Sequence, residues 1–197
     1  MNYERFKQQM NFILEVDKLK EIYRQTYISS ANRKENDTEH SWHLALMAML
    51  MAEHMTEKPD ILRTISMVII HDIVEIDAGD TYAYDVKGNE TKREREEAAA
   101  DRIFNLLPKD QAIYMRELWE EFEAKETPEA KFANALDKLQ PLMLNDATNG
   151  KAWLEHDVCK SQILNRNKSI EEASENIWKY ITETIDANVN KNNIKDC

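Results

Sequence analysis

His71 and Asp72 stand together in a run, Met67 to Val74, that is otherwise wholly apolar. Burying an imidazole beside a carboxylate costs several kcal/mol unless each finds a partner, and one divalent cation satisfies both. Adjacent helical residues point about 100° apart, so an ion lying off that edge can meet both side chains. Glu75 follows four residues after His71, on the same face of the expected helix, and Asp80 follows Gly79 at its exit. His40 falls in the first turn of a preceding apolar helix, and Asp137 interrupts a second apolar stripe between Leu136 and Leu139. Two imidazoles and two carboxylates from three helices form a nitrogen and oxygen donor set, with two more carboxylates beside it. Without thiolate, such a set suits Mn, Co, Fe, Ni, Zn or Mg.

The other candidates carry less. A lone buried His is more often a hydrogen-bonded core residue than a ligand. His43 reads as core packing or as support for a ligand, His54 as solvated near a helix end, and His156 has no assigned role. Met47, Met49 and Met51 read as core, and Lys92 to Glu97 as a solvated helix face of alternating charge.

The elements that must position these residues are legible from periodicity. Phe6, Met10, Ile13 and Leu14, then Leu19, Ile22 and Tyr23, predict a first helix, or two with a break near Asp17. A polar, irregular stretch from Ser29 to Thr38 follows, and Asp37 or Thr38 then caps a helix running to about His54. That helix is apolar on nearly every side from Leu44 to Ala52, which predicts deep burial. Pro59 opens a helix that ends at Gly79, and a loop holding two Tyr follows it. Further helices are expected from about Lys92 to Leu107, from Lys109 to Ala124, after Pro128, and from Ile170 to Ala187.

Composition agrees with that outline. Three Gly and four Pro in 197 residues are too few for a turn-rich sheet protein, and the length suits one domain. The formal charge of −11, with no sizeable Lys/Arg cluster, argues against a nucleic-acid polymer as partner and leaves small phosphorylated ligands possible. The longest apolar stretch, Leu44 to Ala52, is far short of the roughly 20 residues that span a bilayer. Cys159 and Cys197 make no disulfide framework, and the N-terminus lacks a signal-peptide core, so the expected setting is reducing and cytoplasmic.

Taken in order, His40 in TEHSWHLAL, His71-Asp72 in VIIHDIVEIDAGD and Asp137 in NALDKLQPL resemble the HD superfamily of metal-dependent phosphohydrolases. The resemblance runs from about Leu19 to Leu144. Within that superfamily the chain is most similar to the small 5'-deoxynucleotidases and the HD-domain-containing protein 2 group. The stretches KREREEAA, LLP, ELWEEFE and EAKFANALDKL carry that likeness. It implies an all-α, single-domain HD-type bundle over residues 1–188 with a frayed polar tail, 189–197, and a homodimer. It implies hydrolysis of (deoxy)nucleoside 5'-monophosphates with one divalent ion (Mn, Co, Mg, Zn or Ni) held by His40, His71, Asp72 and Asp137. Multinuclear relatives carry extra His between the HD pair and the last Asp, whereas no His occurs here between Asp72 and Asp137. On this reading Glu75 orients water or acts as acid/base, and Asp80 holds that water or protonates the leaving alkoxide. Asp80 and Thr81 line the substrate pocket. Arg24, with Tyr27 following, is the best match to the family's phosphate-gripping Arg, and Arg33 is the other candidate. Two alternatives stay open: hydrolysis of another small phosphoester or a nucleoside triphosphate, and a non-catalytic nucleotide- or metal-binding module.

Overall fold

The computed structural model describes residues 3–197 as a helical bundle, as the sequence predicts. Helix α1 (Tyr3–Val16) leads through a 3-10 turn at Asp17–Glu21 into a short antiparallel hairpin, β1 (Tyr23–Tyr27) and β2 (Lys34–Asn36). Then come α2 (Asp37–Met51), α3 (Ile61–Ile70), α4 (Glu75–Ala78), α5 (Val86–Glu90), α6 (Lys92–Phe104) and α7 (Lys109–Ala124). The chain closes with α8 (Pro128–Ala147), α9 (Lys151–Glu155), α10 (Lys160–Asn167), α11 (Ile170–Ala173) and α12 (Glu175–Asn190).

Helices α2, α3 and α8 pack on one another and form the centre of the molecule. Leu44 and Ala48 of α2, Met67 and Val68 of α3, and Phe132 and Leu136 of α8 are fully enclosed there. Apart from Ala48, each such side chain contributes about 1.5–3 kcal/mol on burial, which offsets the cost of the charges held beside them. Strong local signals fix the helix starts. Asn36 and Glu39 form a reciprocal capping box on α2, and Thr127 caps α8 with Pro128 in its first turn.

Several expectations are corrected. Tyr23, expected to continue a helix, opens β1 instead, and the stretch expected to be irregular contains β2, because Tyr23 and Tyr27 pair with Asn36 and Lys34. The outer face of α2 is not buried: Trp42, Leu46, Met49 and Leu50 are exposed, since only one side of the helix meets α3 and α8. The helix expected from Pro59 to Gly79 breaks at His71–Val74, where Ile73 and Glu75 donate their N–H groups to Ile70 and Asp72 in tighter turns.

The C-terminal segment does not fray. Ile194 is buried, Lys195 bonds to Val158 and Lys160 through its backbone, and a disulfide joins Cys159 to Cys197. That bridge withdraws the argument from the cysteines for a reducing compartment. Among the described residues no helix is long and apolar enough to cross a membrane.

Gly150 is where the tail meets the bundle. It adopts φ +71°, and a Cβ there would lie 2.6 Å from Cβ of Asn193. Gly150→Ala is therefore expected to lower stability by about 1–3 kcal/mol, read by chemical denaturation. An unchanged midpoint would show that the docked tail places no constraint on this turn.

Candidate metal centre and pocket

His40 projects from the first turn of α2, His71 and Asp72 from the end of α3, and Asp137 from the middle of α8. The structure brings them together. Donor atoms of His40, His71 and Asp72 all lie within 4.8 Å of one another. Nε2 of His40 is 3.1 Å from Oδ1 of Asp137, and Nε2 of His71 is 3.1 Å from Asp72 and 3.8 Å from Asp137.

Each imidazole is oriented from behind. Nδ1 of His71 donates to the carbonyl of Val68 at 2.9 Å, and Nδ1 of His40 donates to the side-chain oxygen of Gln140 at 3.0 Å. Gln140 in turn donates to Glu35 at 2.6 Å. With Nδ1 spent in this way, Nε2 is the ring atom that each imidazole turns to the cluster and the one that could take a metal. Nε2 of His71 is buried with no hydrogen-bond partner. An orphaned imidazole nitrogen facing two carboxylates and a second imidazole fits a divalent cation by donor type and by position.

Electrostatics set the rest of the site apart. Burial works against a charged His71, but Asp72 and Asp137 outweigh it and raise its pKa to about 10. Burial likewise opposes ionisation of Asp72, yet His71 and Arg24 hold it well below the usual carboxylate range. Glu75 sits the other way: burial, then Asp72 and Asp37, push its pKa well above normal. Asp80 is raised by burial, with Arg24 pulling against the shift.

Glu75 reaches the cluster even though the helix face expected to carry it is broken. The tight turn from Asp72 sets it 4% exposed, with Oε2 unpartnered. Asp80 and Thr81 line the adjoining pocket. Arg24 also lines it, with Nη1 2.8 Å from Asp72 and 3.3 Å from Asp37. Arg33 does not. Its guanidinium is exposed and paired with Glu39, in the turn that joins β1 to β2.

The sequence reading passed over several residues here. Asp37 is fully buried in the first turn of α2 and forms a carboxylate cluster with Asp72 and Glu75; burial and Asp72 raise its pKa to about 7. Its place looked like a capping position, which Asn36 fills instead. The charged run at 92–97 is only partly a solvated face. Lys92 and Glu96 line the pocket, and Arg95 ties down the preceding loop by donating to the carbonyls of Ala78 and Gly88 and to Thr81. His156 stacks against Tyr82, another pocket residue, with ring centroids 4.3 Å apart. Met49 is exposed, not core.

A helical bundle that converges two imidazoles and several carboxylates on one enclosed point defines a metal-centre domain. The chain belongs to the HD domain family, whose model matches residues 16–178. It is similar to human 5'-deoxynucleotidase HDDC2, 32% identical over 135 residues, covering 68% of this chain and 65% of that protein's length. Among solved structures, a predicted metal-dependent phosphohydrolase from Magnetospirillum magnetotacticum MS-1 superposes with TM-score 0.92 at 46% identity, covering 97% of this chain and 96% of the other. An HD-domain phosphohydrolase from Listeria innocua shares the fold at TM-score 0.60 and 17% identity, covering 89% of this chain and 82% of the other.

Because His71 carries a proton up to about pH 10 when its neighbours are the two Asp, a divalent ion must displace that proton. Calorimetric titration with Mn in buffers of different ionisation heat is expected to show about one proton released per ion at pH 7, with affinity weakening as pH falls. Binding without proton release would contradict the ligand role of the imidazoles.

Proposed function

We propose that the protein is a metal-dependent phosphomonoesterase acting on (deoxy)nucleoside 5'-monophosphates. The observation that carries this reading is the pairing of a His/Asp cluster that fits a cation with a buried carboxyl group, Glu75, whose pKa is pushed well above its usual value, in one pocket. The names of the human relative and of the Magnetospirillum structure support the same class of reaction.

His40, His71, Asp72 and Asp137 would hold one divalent ion, chosen among Mn, Co, Mg, Zn and Ni. When bound, such an ion supplies charge stabilisation to phosphoryl oxygens and acidifies water. The chain's own groups do the rest. Asp80, at the pocket loop, accepts the proton of the attacking water as its oxygen joins phosphorus. Glu75, whose pKa burial and its acidic neighbours push well above normal, delivers a proton to the ester oxygen as the phosphorus–oxygen bond breaks. Arg24 secures Asp72 and Asp37 and offers its remaining donors to the phosphate. Thr81, fixed by Arg95, and Tyr82 and Tyr84 line the side where a nucleoside would rest.

A homodimer is part of the proposal. The outward apolar stripe of Trp42, Leu46, Met49 and Leu50 on α2, together with Phe6, Met10 and Ile13 on α1, supports it.

Glu75→Gln keeps the shape and removes the transferable proton. The variant is expected to retain its metal and to lose about 10²- to 10⁴-fold in turnover of nucleoside monophosphates. Hydrolysis of p-nitrophenyl phosphate, whose leaving group needs no proton, should fall much less. Equal losses on both substrates would remove Glu75 from the role of general acid. A phosphate-release screen of the wild type across nucleotides and sugar phosphates tests the substrate class, and no turnover of any nucleoside monophosphate would refute it.

A further inference from the structure

Five cations line the pocket: Arg24, Lys92, Lys125, Lys138 and Arg166. Most are already occupied or remote. Arg24 is paired with Asp72 and Asp37, Lys92 with Glu96 at 3.3 Å, and Lys138 donates to the hydroxyl of Ser169 at 2.9 Å. Lys125 is exposed on the loop after α7. Arg166 differs from all of them. Its nearest carboxylate is Oδ2 of Asp137, at 3.8 Å, and among the described residues its guanidinium makes no hydrogen bond, while its side chain is 31% exposed. A planar fork of donors stands unspent beside a metal-ligand carboxylate, at the edge of the cavity.

The segment carrying it is firmly held. Ile163 of α10 is buried, and the start of that helix is tied to the tail by the Lys160 and Ser161 backbone bonds and by the Cys159–Cys197 bridge. A second, independent feature marks the same wall as one that meets a ligand. Asn167, 2% exposed, spends its NH₂ group on the carbonyl of Ile163 and leaves Oδ1 buried without a donor. Asn145 on α8 does the same through Pro141. Both line the pocket. Two orphaned acceptors beside an unspent guanidinium complement a phosphate ester that also carries hydroxyl or N–H groups.

We propose that Arg166 is a substrate-binding residue, receiving the phosphate from the α10 side of the pocket, with Arg24 near the other oxygen of the same Asp137 carboxylate. This rests on the phosphomonoesterase reading above and names a residue outside the His/Asp motif. A receptor of this kind is needed on charge grounds. The chain carries −11 overall and Asp37, Asp72, Asp80 and Asp137 crowd the site, so a phosphate dianion requires local positive charge beyond the metal. Guanidinium suits it because the fork binds two phosphate oxygens at once.

The test is calorimetric binding of inorganic phosphate to the Mn-loaded full-length protein, for wild type, Arg166→Ala and Arg166→Lys. Loss of one or two charge-assisted bonds should weaken phosphate binding about 10- to 100-fold in the Ala variant, with the Lys variant between. Metal affinity and melting temperature should match wild type, since Arg166 makes no hydrogen bond that holds the fold. Unchanged phosphate affinity, no measurable phosphate binding by the wild type, or a fall in metal affinity that accounts for the whole effect would overturn the assignment. The two readings fail separately. If the wild type hydrolyses nucleotides while phosphate binding ignores Arg166, this proposal falls and the nucleotidase stands. If phosphate binding depends on Arg166 while no nucleotide turns over, Arg166 is confirmed as the anion receptor of another phosphoester.

Discussion

Asp37, Asp72, Glu75, Asp80 and Asp137 are gathered around one largely enclosed volume, and their mutual repulsion is what the rest of the structure has to answer. At about 4 Å, two unit charges interact by about 4 kcal/mol at the effective dielectric of a protein edge. Several such pairs would exceed the net stability of an ordinary domain. The structure answers in three ways. Arg24 lies between Asp37 and Asp72; His40 and His71 face Asp137 and Asp72; and burial opposes the ionisation of Glu75. A divalent ion is the fourth way, and it replaces a proton with two charges. The same repulsion separates the roles, leaving Asp72 and Asp137 as anions and Glu75 as an acid.

Holding that arrangement requires rigid supports, which the bundle supplies. The broken end of α3 is the central device, because a continuous helix would set Glu75 one regular turn beyond His71, and the tight turn brings it to Asp72 instead. The hairpin has a matching purpose. β1 carries Arg24 into the carboxylates, while β2 delivers Asn36 as the cap of α2 and so fixes the first turn that holds Asp37 and His40. In α8, Pro141 has no N–H to give, so the carbonyl of Asp137 has no donor from that position. Gln140, one residue earlier, orients His40.

Much of this was legible in the sequence, and the limits are physical. His71-Asp72 stood out because polar groups inside an apolar run demand partners, and His40 and Asp137 followed from the same logic. The helical class and most helix positions followed from 3.6-residue periodicity and the scarcity of Gly and Pro. Asp37 was hidden because an acidic residue at a helix start has an ordinary explanation as a cap. Arg166 and Asn167 were hidden because they lie on a polar, charged segment whose place beside Asp137 depends on the fold of the tail, a long-range contact with no local signature. The disulfide was missed for the same reason, since two Cys 38 residues apart declare nothing until the fold brings them together. Arg24 and Arg33 looked alike because residue type does not tell them apart; Arg24 lies on β1 beside the carboxylates, whereas Arg33 lies in the turn after it and pairs with Glu39 at the surface.

The central claim is that the buried anionic cluster exists to hold one divalent cation. The direct measurement is a crystal structure of the Mn-soaked protein with anomalous data collected at the Mn edge. The account predicts a single strong anomalous peak per chain in contact with His40, His71, Asp72 and Asp137. A peak coordinated by other residues, two peaks within the pocket, or no peak with Arg24 still paired to Asp72 would contradict it.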